Sequence, residues 1–268
     1  MSTELPITPS VPLPLLAPGN TGTTDRRQAM ARLSGFAYIS YVSLGLYISF
    51  GPVGRIWNLN AVGESAGLSQ ADFLFRTGLV AETALYLFVT ISAAAMYATL
   101  RDVDRGIAFA AAFCRLMEGA MGATFVLLKY AAFAVLMRDD LVGAFPDAQR
   151  QSLTMLFKHV HGSGLYLILI VMAVGGALFF WLFWRSRLIP RWLAGWGVFT
   201  YALMGAVAVL VILFPALKQW VMIAFLPGAV FEAIAGVWLL ARGVNGCVAT
   251  RTPTDSQPNI DLIPTAPT

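Results

Sequence analysis

The chain has 268 residues, 58% of them hydrophobic and only 12% charged, with a net charge of +4. Soluble domains carry roughly 25% charged residues, so there is too little charge here to cover a water-exposed surface. The positive balance comes without a basic cluster or a nucleic-acid-binding motif, which argues against nucleic acid as a partner and for a membrane as the solvent.

Residues 1–28 open with MSTELPITPSVPLPLLAPGNTGTTD, rich in Pro, Ser and Thr. They lack the basic n-region and unbroken apolar h-region of a signal peptide, and they read as a disordered tail. Six apolar runs follow within one domain, 29–243, with helices expected at about 33–54, 72–99, 107–137, 163–184, 192–214 and 220–241. A helix needs about 20 apolar residues to cross a hydrocarbon core of roughly 30 Å. The runs are continuous rather than alternating, which selects helices over barrel strands. The expected fold is therefore all-α: a polytopic six-transmembrane-helix bundle. Residues 244–268 return to the composition of the first tail and read as disordered.

Taken in chain order, the second helix begins at Ser69-Gln70-Ala71-Asp72, a spacing that resembles a capping box. It places Asp72, Arg76, Thr83, Tyr86 and Thr90 on one stripe, with Glu82 at the edge. The turn holding Arg101, Asp102, Asp104 and Arg105 reads as solvated. In the third helix Arg115, Glu118, Gly122 and Lys129 share an arc of about 60°, and Gly119 and Gly122 would admit a close neighbour. Residues 147–160 are too polar to span but amphipathic enough for the outer interface; they either run on into the fourth span or bend at Gly162 and Gly164. Pro227-Gly228 should kink the sixth helix, just before Glu232 at mid-depth. Cys114 sits in an apolar run and Cys247 in the tail, so no disulfide framework is expected.

Orientation follows from the basic residues. Arg26, Arg27, Arg32, Arg101, Arg105, Arg185, Arg187, Arg191, Arg242 and Arg251 fall on one side. Arg55, Arg138, Arg150 and Lys218, mixed with acids, fall on the other. The positive-inside rule puts both termini in the cytoplasm. Trp57 and Trp220 then mark the outer interface, and Trp181, Trp184, Trp192, Trp196 and Trp238 the inner one.

Charges inside the spans carry the functional question. A charge at the bilayer centre costs about 2.5–3.5 kcal/mol on insertion scales, so Arg76, Arg115 and Lys129 are expected to face inward and pair with Glu82, Glu118 and Glu232. That cluster is either a structural ion-pair network that fixes helix register or a polar pocket between helices two, three, four and six. In the pocket reading, Arg76, Arg115, Lys129, Glu82 and Tyr86 contact a ligand. Catalytic residues are not identified; His161, Glu232 and Glu118 are the candidates, His161 because imidazole titrates near neutral pH when unperturbed.

Familiar constellations are missing. His159 and His161 point about 160° apart on a helix, so no metal site is expected, and haem ligation by either has no specific support. Ser163 and His161 lie on different faces, so they make no triad. No nucleophile elbow, phosphate-binding loop, dinucleotide fingerprint or CxxC occurs, which leaves any cofactor open.

Several short motifs, in order, resemble the bacterial multi-pass membrane proteins of domain-of-unknown-function family 4386. They are RLSGFAYISY in the first helix, LFRTGLVAE around Arg76, AAFCRLMEGA around Arg115, HGSGLYLILIVM after His161, LIPRWLAGWGV, and FEAIAGVWLLARGV around Glu232, together covering about Arg27 to Val244. The resemblance implies a six-helix domain of the bacterial inner membrane and no agreed activity. It points to Arg76, Arg115, His161 and Glu232 as positions to test, while the extended Pro/Thr-rich ends depart from the shorter members. Three functions remain open from the sequence. One is a protein that binds or transforms a membrane lipid or other lipophilic small molecule, with Arg76 and Lys129 attracting an anionic head group over a floor of Arg115, Glu118 and Glu232. The others are a structural or accessory subunit and a small transporter, the last disfavoured by the lack of internal repeats. The oligomeric state is not indicated.

Overall fold

A computed structural model describes residues 21–52, 54, 68–138, 143 and 145–245. Six α-helices hold most of them: α1 (Thr21–Phe50), α2 (Leu68–Leu100), α3 (Arg105–Met137), α4 (Asp147–Ser186), α5 (Arg191–Leu213) and α6 (Val221–Ala241). A single 3-10 segment, Pro215–Trp220, joins the last two. No strand occurs among the described residues.

Each helix packs against the next in sequence, and α6 returns to pack against α1. The helices thus close a ring in chain order. Short connections, such as 101–104 between α2 and α3 and 187–190 between α4 and α5, force these neighbours to run antiparallel. The closing seam depends on Gly35: a Cβ there would lie 2.7 Å from the Gly236 carbonyl oxygen and 2.8 Å from the Leu239 carbonyl carbon. Backbone cannot yield as a side chain can, so α1 and α6 meet this closely only because position 35 has no side chain.

Several ends are fixed by local chemistry. Asp104 caps α3, its side chain accepting a hydrogen bond from the Ile107 N–H at 3.1 Å. Asp102 pairs with Arg27 at 2.7 Å, and Asp104 with Arg185 at 3.6 Å; the expected solvated turn therefore links α1 and α4 across the Arg-rich end. Gly243, in the left-handed region at φ 65°, ends α6 where a Cβ would be strained. The Gln28 amide then ties α1 to the end of α6, donating to the Arg242 carbonyl and accepting from the Val244 N–H.

Helix limits differ from expectation in three places. α1 begins at Thr21, so part of the expected tail is already helical. α4 is one continuous helix of 40 residues, about 60 Å long at 1.5 Å per residue. Residues 147–160 run straight on into the fourth span and lengthen it well past a hydrocarbon core. α2 starts at Leu68, which puts Ser69 inside the first turn rather than before it; its side chain lies outside the described residues. The 55–67 loop and Trp57 also lie outside them, as do the Trp220 side chain, 1–20 and 246–268. Pro227 sits within α6, which continues on both sides of it.

Five of the helices are long and apolar enough to cross a membrane. Their outward faces carry large apolar side chains such as Phe73, Val80, Phe109, Leu127 and Phe199, all more than half exposed. Charged residues take the opposite place: Glu82, Arg115, Glu118, Lys129 and His161 are buried. Apolar outside and ionisable inside is the distribution a lipid solvent imposes. At the Arg-rich end, Arg242 lies over the Trp238 ring at 4.5 Å and Arg185 over Trp181 at 5.6 Å, an interfacial arrangement of cations and indoles.

Candidate functional site

The ring encloses a cavity of about 510 Å³, lined by residues from all six helices. Ser49 and Phe50 at the end of α1 and Val221 at the start of α6 line one end of it, which we take as its mouth. Tyr41 lies nine residues deeper on α1 and Glu232 eleven deeper on α6, about 14–16 Å along the helix axes. Between mouth and floor the walls are apolar, with Leu165, Ile168, Leu169, Met172, Met204 and Phe225 among them. The floor carries Arg115, Glu118 and Glu232.

Arg115 Nη1 stands 2.7 Å from Glu118 Oε2, one turn along α3, and both side chains are almost wholly buried. The pair is short but poorly aligned: neither atom has a directional hydrogen bond among the described residues. The Arg115 guanidinium also lies 5.9 Å from the Tyr41 ring centroid, within cation–π range. On the other side of the floor, Tyr201 donates a hydrogen bond to Glu232 Oε1 at 2.8 Å. The Tyr38 and Tyr201 hydroxyls are 3.0 Å apart. Because the Tyr201 proton is committed to Glu232, Tyr38 is the donor in that contact. A relay Tyr38–Tyr201–Glu232 therefore runs from α1 through α5 to α6. The Tyr41 hydroxyl is buried within reach of Glu232 and Tyr38 but makes no hydrogen bond of good geometry among the described residues. At the floor, Arg115 and Glu118 thus satisfy each other by charge more than by hydrogen-bond geometry, and burial makes imperfect geometry costly.

A second buried group lies in the seam of α2, α3 and α4, apart from the cavity lining. Lys129 Nζ donates to Glu82 Oε2 at 2.8 Å, and His161 Nε2 lies 3.6 Å from Glu82 Oε1. Phe75 and Phe133 stack with centroids 3.9 Å apart, one turn or two from this pair. Phe125 meets His161 edge-on. Tyr86 lines the cavity and is within electrostatic reach of both Glu82 and Glu118, so it stands between the two groups. Its ring lies where a Cβ on Gly122 would be, which is how α3 admits α2 so closely.

The expected site residues therefore separate. Arg115, Glu118, Glu232 and Tyr86 share the cavity. Glu82, Lys129 and His161 form the neighbouring buried trio. Arg76 belongs to neither: its exposed side chain pairs with Asp72 at 2.9 Å, one turn away on the same helix. The buried arc of α2 runs through Phe75, Glu82 and Val89, seven residues apart. Arg76 and Thr83, one residue further on, are turned away by about 100°. The expected stripe through Asp72, Arg76 and Thr83 thus lies beside the inward face rather than on it. His159 is exposed while His161 is buried, and Ser163 is exposed. Among the described residues no three His, Cys, Asp or Glu side chains could hold a metal ion.

The sequence pointed to Tyr86 but not to the other tyrosines of the site. Tyr38 and Tyr41 are three apart on one face of α1, and Tyr201 is in the middle of α5. Phenol hydroxyls at mid-span need a buried partner, and that requirement was the available signal.

The family model described as "Domain of unknown function (DUF4386)" matches residues 33–243. The chain belongs to this family. Neither a curated protein nor a solved structure matches it. Every cavity-lining residue named above falls within the DUF4386 region, as does the Glu82–Lys129–His161 trio.

Proposed function

We propose that this DUF4386 protein crosses the bacterial inner membrane six times, keeps both termini in the cytoplasm, and binds an amphipathic small molecule within the ring. The observation that carries this reading is the cavity. Its size lies within the range of about 300–1,000 Å³ common to small-molecule sites, and it combines apolar walls with a few convergent polar groups. A lipophilic tail would occupy the walls toward Phe50 and Val221, and a polar end would reach Arg115, Glu118 and Glu232. The six-helix ring with antiparallel neighbours supports an even number of crossings, and the arginine bias supports the cytoplasmic termini. With that orientation the mouth opens toward the outer leaflet. Glu118 and Glu232 are the groups in position to exchange a proton with a bound molecule; His161 would act only through Glu82 and Tyr86.

The test is retention of a co-purified molecule. The full chain is extracted in mild detergent, and small molecules released on denaturation are identified by mass spectrometry, for the wild type and for Glu232→Gln. The amide keeps shape, so binding predicts loss of the molecule with melting temperature nearly unchanged. A drop in melting temperature with the same molecule still bound would instead assign Glu232 a purely structural role.

A further inference from the structure

The charge of the cavity floor identifies the chemical class of its occupant, given the pocket reading above. Among the described residues, three acid or base side chains other than tyrosine line the cavity: Arg115, Glu118 and Glu232. Arg115 is taken by Glu118 at 2.7 Å. Glu232 makes no close ion pair among the described residues; its short contact is the Tyr201 hydroxyl, and it also lies within electrostatic reach of Arg115 and the Tyr41 hydroxyl. That hydroxyl donates, so it presents Glu232 as an acceptor. Glu232 is half-buried whereas Arg115 and Glu118 are buried, and it lines the cavity beside them. Lys129 and His161, the other buried basic groups, are directed to Glu82 and do not line the cavity. Among the described residues the floor therefore has one carboxyl group more than it has cations.

An anionic head group would meet two carboxylates and one arginine that is already paired. A cationic head group would supply the missing positive charge where hydrocarbon makes an unbalanced charge expensive. The surrounding rings suit it as well. Tyr41, Tyr86, Tyr166 and Phe225 all line the cavity, and aromatic faces attract ammonium groups where water is scarce. The Tyr41 hydroxyl oxygen, which has no well-formed hydrogen bond among the described residues, is an acceptor available to an ammonium N–H.

We propose that the cavity takes an amphipathic cation, a lipophilic amine or quaternary ammonium, whose charged end balances Glu232 beside the Arg115–Glu118 pair. This reverses the head-group charge expected from Arg76 and Lys129, because neither of those residues reaches the cavity.

Three shape-matched probes test the assignment: 4-phenylbutylamine, 4-phenylbutanol and 4-phenylbutyrate. Binding to the full-length protein in phosphatidylcholine nanodiscs is measured by calorimetry at neutral pH, with empty nanodiscs as the blank for partitioning. The amine is expected to bind at least about tenfold more tightly than the alcohol, and the carboxylate most weakly. In Glu232→Gln the amine should lose that advantage while the alcohol is unchanged. Equal binding of amine and alcohol would mean that a proton already balances Glu232, and it would overturn the cation assignment while leaving the pocket. Tighter binding of the carboxylate would overturn it as well. Binding of none of the three would overturn the pocket and the assignment together. The wild-type series decides the matter even if the variant fails to fold.

Discussion

Gly35 of α1 and Gly236 of α6 face each other across the seam where the last helix returns to the first, with room for no side-chain atom at position 35. The two residues are 201 positions apart in sequence, and their contact turns a row of helices into a ring. Without it the cavity would lose one wall, since Tyr41 and Val42 come from α1 and Phe225 and Glu232 from α6.

Gly35→Ala should therefore open the seam. Overpacking typically costs about 1–3 kcal/mol, and here the clash is with backbone, which cannot rotate away. The expected outcome is a lower melting temperature in detergent together with loss of the co-purified molecule. Unchanged melting would show that α1 and α6 do not approach this closely.

The Glu82–Lys129 pair gives a prediction of opposite character. Lys129→Met leaves a buried carboxylate with a longer contact to His161, and breaking one side of such a pair costs about 3–5 kcal/mol. Adding Glu82→Gln should recover most of that loss, because the uncompensated charge is removed. Thermal unfolding of the two single variants and the double variant measures the coupling; strict additivity would show that the side chains do not interact. Since the trio does not line the cavity, ligand retention in the double variant should match the wild type.

Gly162 lines the cavity and a Cβ there would meet no atom within 4 Å. Gly162→Leu should fill part of the space without strain, and replacing a helical glycine favours the helix by up to about 1 kcal/mol. Melting temperature is expected to hold or rise while the bound molecule is displaced. Full retention of the molecule, measured by mass spectrometry, would place it elsewhere.

Orientation is tested by single cysteines in a background of Cys114→Ala and Cys247→Ser. Probes at Glu64 and Asp140 should react with an impermeant maleimide on intact cells. Probes at Asp104 and Ser186 should react only after permeabilisation. The reverse pattern would invert the protein and move the cavity mouth to the cytoplasmic side.

Much of the fold was legible because lipid constrains a chain so strongly. Runs of about 20 apolar residues have few other fates, and the arc of Arg115, Glu118, Gly122 and Lys129 followed from helical spacing alone. All four residues are buried. The length of α4 was less legible, because a polar amphipathic stretch such as 147–160 has the same local pattern whether it turns along the interface or continues the span. The site was legible only in part. Arg115, Glu118 and Glu232 stood out as charges in hydrocarbon, whereas Tyr38, Tyr41 and Tyr201 did not, because a phenol looks like any other aromatic until its hydroxyl finds a partner.

By itself the sequence determined an all-helical class with long apolar helices, though α1 and α4 begin well before their expected limits, and most of the ionisable groups that turn inward, Arg76 being the exception. Those are local or compositional properties, set by the cost of placing charge and unpaired backbone in hydrocarbon. Only the tertiary structure decided which charge meets which. Rotation of α2 by one residue's angle separates Glu82, buried against Lys129, from Arg76 on the surface. Closure of α6 onto α1 brings Glu232 into the same floor as Arg115 without pairing the two. Pairing depends on the relative rotation and depth of helices far apart in sequence, and no single helix carries that information.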